Sequence, residues 1–190
     1  WRGNEPPAVA FLAPRSRTEA AAREFLGEFN GILHTDGFAA YDRIGAELVH
    51  QNCWAHARRG IFEVWKRDQG KLSGAILDEI DRLFMLEREI KGLPPEDRQK
   101  YREEHSAPLV ESIFVRCDAT LDTIAERSTL AKAVKYIVKR RRALSRFLED
   151  GRIEIDNNLV ENCVRPYAIV RKNVMFAGSE GGADNWAVFA

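Results

Sequence analysis

Apolar positions recur every three or four residues through the middle of the chain and gather into short runs near its start. Leu72, Ile76, Ile80, Leu83, Glu87 and Ile90 fall near a period of 3.6. Leu109, Ile113, Cys117, Leu121 and Ile124 repeat that spacing, as do Leu130, Ala133, Val134, Ile137, Leu144 and Leu148. The pattern predicts a helical block from about Gly60 to Asp150. "GLPPEDR" separates its first two helices, because proline lacks the N–H and restricts the residue before it. Pro108, early in the second pattern, predicts a helix start or a kink.

The earlier runs have a different character. "AVAFLA", Ala8 to Ala13 between Pro7 and Pro14, suits a buried strand. "RTEAAAREFLGEF" reads as a helix with Thr18 as its cap and an exit near Gly31. The apolar run in "GILHTDGFAAYDRI" ends at Asp36-Gly37, and "ELVHQNCWAH" supplies another short strand. Strand, helix and strand with short connections predict an α/β unit.

At 190 residues the chain fits one domain, or one domain carrying an insertion. Its 29 basic and 29 acidic residues leave no global field for a polyanion, so any nucleic-acid contact must rest on local patches. Cys53, Cys117 and Cys163 are odd in number and widely spaced, which argues against a disulfide framework and for a reducing compartment, the cytoplasm by default. No apolar run approaches the roughly 20 residues that span a bilayer. The chain opens at Trp1 rather than Met, as a piece of something longer would.

Four features carry candidate chemistry. Arg127 to Leu148 holds Arg127, Lys132, Lys135, Lys139, Arg140, Arg141, Arg142 and Arg146 and no acid, which suits phosphate binding and a solvated helix face equally. Cys53 and His56 resemble half a metal site, but zinc needs two further ligands and no second Cys/His pair is present. Cys53 therefore reads as a small core residue at a strand end, and His56, followed by Arg58 and Arg59, as the edge of a site. Asp36 ends a predicted strand, where open α/β sheets bind ligands, although an Asp-Gly turn alone would account for it.

The fourth is "IEIDNNLVENCVRPYAIVRKN", Ile153 to Asn173, where acids and amides precede a group of cations. Asp156, Asn157 or Asn158 could each cap a helix, and with Asn158 as cap Glu161 completes a capping box. Glu161 and Arg165 then share a face, while Pro166 interrupts it. Capping leaves Arg165, Arg171, Lys172 and the following "AGSEGGA" unexplained.

In their order, "HTDGFAAY", "NCWAHARRGIF" and "FLEDGRIEIDNNLVENCVRPYAIVRKNVMFAGSEGGA" resemble the transposases of the IS66 insertion-sequence family over essentially the whole chain. The resemblance implies a DDE transposase with an α/β, ribonuclease H-like core and a large helical insertion. The core would occupy residues 1–59 and 151–190, and the insertion residues 60–150. Asp36 matches the second acid of the catalytic set and Glu161 the last, both as ligands of Mg²⁺ or Mn²⁺, with two ions in the complete enzyme. Cys53 and His56 match a C-x-x-H signature between these acids. Arg58, Arg59, Arg165, Arg171, Lys172 and Asn173 match basic or polar positions of the family, and Phe38 replaces its usual tyrosine.

On this reading His56, Arg58, Arg59, Lys139, Arg140, Arg141, Arg142, Arg165, Arg171 and Lys172 are expected to contact DNA, and Cys53, Asp156, Asn157 and Asn158 to serve structure. The family's first catalytic Asp lies upstream of a Trp matching Trp1, so the chain is expected to be a fragment or truncated copy, inactive alone. DNA is the expected partner, a homo-oligomer is compatible with the resemblance, and no membrane is involved. Two other readings stand beside the enzyme: a non-catalytic DNA-binding or assembly module, and an inert remnant that merely folds.

Overall fold

The computed structural model describes residues 18–37, 41, 44, 48–163 and 165. The expected strand at Ala8 to Ala13 lies outside them. The chain divides into two compact units, one made of Ile32–Gly37 with Val49–Asp156, the other of Trp1–Gly31, Phe38–Leu48 and Asn157–Ala190. The division groups residues 32–37, 49–59 and 151–156 with the helical block.

In the second of these units, helix α1 spans Glu19–Leu26. Thr18 caps it, its hydroxyl accepting from the Ala21 N–H at 3.3 Å, and Glu19 pairs with Arg23 one turn on. The exit is Gly27, not the expected Gly31, because Gly27 takes a φ of 53° that side chains resist. Residues 158–163 are also helical. Asn157 precedes them and its carbonyl accepts from the Glu161 N–H at 3.1 Å, so Asn157 rather than Asn158 stands at the cap position.

The larger unit carries the short strands β1 (Ile32–Thr35) and β2 (Val49–Asn52), paired in parallel with Ile32 opposite Val49 and Thr35 opposite Asn52. The pairing sends both strands out at the same sheet edge. Asn52 Nδ2 donates to Thr35 Oγ1 at 3.1 Å and the Cys53 N–H donates to the Thr35 carbonyl at 3.1 Å, so the two exits are tied together. Helix α2 (Trp54–Asp68) starts at once after β2 and ends at Gln69, whose N–H donates to the Trp65 carbonyl at 2.7 Å. It begins six residues before the expected start of the helical block at Gly60.

The block continues with α3 (Lys71–Glu89), α4 (Pro95–Tyr101), α5 (Ala107–Thr123), α6 (Thr129–Lys139) and α7 (Arg141–Ser145). Pro95 opens α4, where its missing N–H costs nothing. A π-helical turn over Arg102–Ser106 joins α4 to α5. Pro108 thus lies in the first turn of α5, within one continuous helical run whose preceding turn is widened.

The expected single helix from Arg127 to Leu148 breaks at Arg140, whose N–H turns back to the Ile137 carbonyl at 3.1 Å. That tight turn redirects the chain so that Leu144 and Phe147 enter the same core as Val134 and Ile137. The core is built from the predicted stripes: Ile76, Ile80 and Leu83 of α3, Ile113 and Cys117 of α5, and Val134 and Ile137 of α6 are all fully buried. Each large apolar side chain so buried contributes about 1.5–3 kcal/mol. Trp54 closes one side, stacked 6.1 Å from Phe114, its indole N–H donating to the Leu144 carbonyl at 2.8 Å. Leu72 departs from the stripe and is 44% exposed.

Candidate functional site

Asp36 follows β1 as an exposed carboxylate on a tight turn. Its own carbonyl accepts from the Tyr136 hydroxyl at 2.8 Å, and the Gly37 carbonyl accepts from Arg140 Nη2 at 2.9 Å. The Gly37 N–H donates to Thr35 Oγ1 at 3.3 Å. Gly37 has a φ of 82°, and a Cβ there would stand 2.6 Å from Arg140 Nε, so the turn demands glycine twice over. The Asp-Gly turn and the strand-end carboxylate are therefore one object.

The start of the acid-amide motif is built into the core of the same unit. Ile153 and Ile155 are buried, and the Ile155 carbonyl accepts from the Trp54 N–H at 3.1 Å. Between them Glu154 accepts two hydrogen bonds from Arg98, at 3.2 and 3.1 Å. Arg98 also lies 3.7 Å from Glu87, which pairs with the fully buried Arg102. Gly151 allows the Pro95 carbonyl to approach so closely that a Cβ would lie 1.8 Å from it. The helical block thus grips residues 151–155 from several sides.

Cys53 is fully buried at the start of α2, and His56 is half-buried one turn on. His34 of β1 feels His56 and Glu154: burial pushes its imidazole down to about 4, the Glu154 carboxylate opposing and His56 adding, so it is neutral near pH 7. Among the described residues His34 Nε2 has no hydrogen-bond partner. Among those residues, too, no cluster of three or more His, Cys, Asp and Glu side chains is placed to hold a metal ion. Oxygen-donor chemistry at the β1 exit is supplied by Asp36, an exposed carboxylate of the type a hard divalent cation takes.

The acid-free basic segment finds its partners elsewhere. Lys135 pairs with Glu126 at 2.9 Å, Arg141 with Asp118, and Arg146 with Glu149. Arg140 stacks 4.5 Å over the Tyr136 ring while it holds the Gly37 carbonyl. Arg127, Lys132, Lys139 and Arg142 are exposed and make no ion pair among the described residues. On α2, Arg58 grips Asp81 with its Nη2 at 3.0 Å and Arg59 is exposed. Hydrogen bonding to Asp81 raises the Arg58 pKa further.

Glu161 and Arg165 belong to the other unit, Glu161 half-buried on its helix and Arg165 exposed. Arg171, Lys172 and Asn173 lie outside the described residues. The structure adds Tyr136, Arg98, Arg102, Glu87 and Glu154 to the residues around the candidate site. Glu87 carried a signal, an acid in the apolar register of α3; Tyr136 carried none.

Over residues 1–185 the chain matches the family model described as Transposase IS66 family. It is similar to two proteins of Sinorhizobium fredii: uncharacterized protein y4qI, 37% identical over 199 residues, and uncharacterized protein y4jD, 36% identical over 198. A third, uncharacterized protein y4hP of the same organism, is 31% identical over 204 residues. These alignments take in 100%, 100% and 98% of this chain but 37%, 39% and 37% of the relatives, so the chain spans well under half their length. No solved structure matches it. No helix of the described residues is long and apolar enough to cross a membrane.

Proposed function

The chain belongs to the IS66 family of transposases, and on that premise we propose that it forms part of a DDE-type catalytic core of ribonuclease H-like architecture that cleaves and joins DNA strands. The observation that carries this reading is Asp36: an exposed carboxylate at the carboxyl end of a parallel strand, on a turn held by side chains from the helical block. Open α/β sheets bind ligands at that edge.

Asp36 and Glu161 would hold the divalent cations. When bound, Mg²⁺ or Mn²⁺, two ions in the complete enzyme, would supply the charge that activates a nucleophilic oxygen and stabilises the leaving oxygen in phosphodiester chemistry. The donor type fits, because hard cations take carboxylate oxygen rather than thiolate. The protein's remaining part is to bring a polyanion against clustered acids. Lys132, Lys139 and Arg142 face solvent for that purpose, while Arg140, Arg141 and Arg58 serve the fold as well. Arg59, Arg165, Arg171, Lys172 and His56 keep their proposed roles beside DNA, and association into an oligomer belongs to the same reading.

The test is Mn²⁺-dependent cleavage and joining of labelled insertion-end DNA, by this chain and by a longer one carrying an Asp upstream of Trp1. Activity in the longer chain that disappears in Asp36→Asn and Glu161→Gln supports the reading; activity indifferent to both substitutions sinks it.

The exposed cations of α6 and α7 favour a second reading, a DNA-binding module without catalysis. Inactivity of both chains together with salt-sensitive DNA binding by the metal-free protein would establish that reading instead.

A further inference from the structure

The peptide planes on both sides of Asp36 are held by hydrogen bonds, one of them from Tyr136, and the next plane along the turn is held by Arg140, both about a hundred residues away. The plane before it is fixed where the Thr35 carbonyl accepts from the Cys53 N–H at 3.1 Å. The plane after it is fixed twice, the Asp36 carbonyl accepting from the Tyr136 hydroxyl at 2.8 Å and the Gly37 N–H donating to Thr35 Oγ1 at 3.3 Å. Beyond that, Arg140 Nη2 donates to the Gly37 carbonyl at 2.9 Å. With both planes set, the backbone dihedrals of Asp36 are set, and with them the direction in which its side chain leaves the turn.

Tyr136 and Arg140 are one turn apart along α6 and its exit, and the guanidinium rests 4.5 Å over the phenol ring. The stack orients the pair as a single clamp. The break between α6 and α7 falls at Arg140 itself, so the turn that ends α6 carries the side chain that holds the Gly37 carbonyl. A carboxylate that binds metal has to be held within about half an ångström of its working position.

We propose that Tyr136 and Arg140 are positioning residues for the Asp36 carboxylate, through which the helical block sets the metal affinity of an acid on the sheet. The inference rests on the reading of Asp36 as a metal ligand. It gives the helical block a role in the site distinct from any contact with DNA.

The experiment uses the chain as it stands and reads Mn²⁺ binding by electron paramagnetic resonance, hydrogen exchange over residues 35–37, and the thermal midpoint. Tyr136→Phe removes one hydroxyl and keeps the ring under Arg140. Mn²⁺ affinity is expected to fall roughly three- to tenfold, as loss of one hydrogen bond allows. Exchange over residues 35–37 should quicken without a change elsewhere. Arg140→Lys, which keeps a cation and a donor, should lose less affinity than Arg140→Met. Asp36→Asn is the reference and should abolish the response. If Asp36→Asn abolishes it while Tyr136→Phe and Arg140→Met bind Mn²⁺ as the parent does, the clamp is overturned and the metal reading survives. If Asp36→Asn binds Mn²⁺ unchanged, the metal reading fails and the clamp falls with it.

Discussion

Arg102 and Glu87 form a two-pronged pair in the interior, Nε and Nη2 of the arginine donating to the two carboxylate oxygens at 2.8 and 2.7 Å. Arg102 Nη1 continues to the Phe147 and Asp150 carbonyls at 2.7 and 3.2 Å, and the guanidinium lies 5.1 Å over the Phe147 ring. The arginine is fully buried and the glutamate side chain only 7% exposed. One side chain thus ties α3, the π-helical turn and the chain leading to residues 151–155 into one piece.

Removing one partner of that pair should be costly, because the other charge remains in the interior. Arg102→Met is expected to destabilise the unit by about 3–5 kcal/mol in urea unfolding. The double variant Arg102→Met, Glu87→Met should recover part of the loss but not all, since the Phe147 and Asp150 carbonyls still lose their donor. A single variant as stable as the parent would contradict the pairing.

Gly151 has no room for a side chain, because its nearest neighbour is backbone, the Pro95 carbonyl. Gly151→Ala must push α4 away and should lower stability by roughly 1–3 kcal/mol. The thermal midpoint reads it directly. Gly92→Ala provides the contrast: its added Cβ would meet nothing within 4 Å, so any loss there comes from its φ of 86° alone.

Thiol reactivity should sort by burial. Burial pushes the Cys117 thiol up to about 12, with Asp118 adding, so the reactive thiolate is essentially absent at neutral and mildly alkaline pH. Cys53 is buried as well, whereas Cys163 is half-buried. In native protein a thiol reagent should modify Cys163 first, and Cys117 only at the rate of unfolding. Peptide mapping that found Cys117 labelled as fast as Cys163 would refute this.

If the exposed cations meet DNA, their removal should show in the salt dependence of binding. A cation that neutralises one phosphate contributes about 0.9 to the steepness of the log–log plot of affinity against salt. Lys139→Ala and Arg142→Ala should each make the plot shallower by about that amount, uniformly across DNA sequences. Arg141→Ala should change the slope less, because its charge is already paired with Asp118. Equal slopes for all three variants would remove the distinction.

Much of the fold was legible because it depends on local periodicity. The stripes on α3, α5 and α6 marked their own core residues, and the short apolar runs marked β1 and β2. Capping chemistry marked Thr18 but not the exit of α1, since Gly27 and Gly31 are equally good glycines until φ is known. The start of α2 at Trp54 was hidden because β2 passes into the helix through Cys53 alone, without a Gly or Pro between them. The break at Arg140 was hidden because the apolar spacing runs on through it.

The candidate site divides along the same line. A carboxylate before a glycine at a strand end is a local signal, and Asp36 was visible through it. A charge is readable by type but not by partner. Arg141 and Arg146 looked alike in a window without acids, yet the partner of Arg146 is the adjoining Glu149 and that of Arg141 is Asp118, on α5. Tyr136 and Asp36 are 100 residues apart, a separation no spacing rule reaches.

The sequence by itself determined the elements, the core stripes, the family resemblance and the acid at the β1 exit, because these follow from short-range periodicity, turn chemistry and motif. Only the tertiary structure decided which cations remain for a polyanion, that Gly151 must be glycine, and that Tyr136 and Arg140 hold the Asp36 turn. Those outcomes depend on which distant groups meet when the helices pack, and hydrogen bonds and ion pairs act over a few ångströms whatever the separation along the chain.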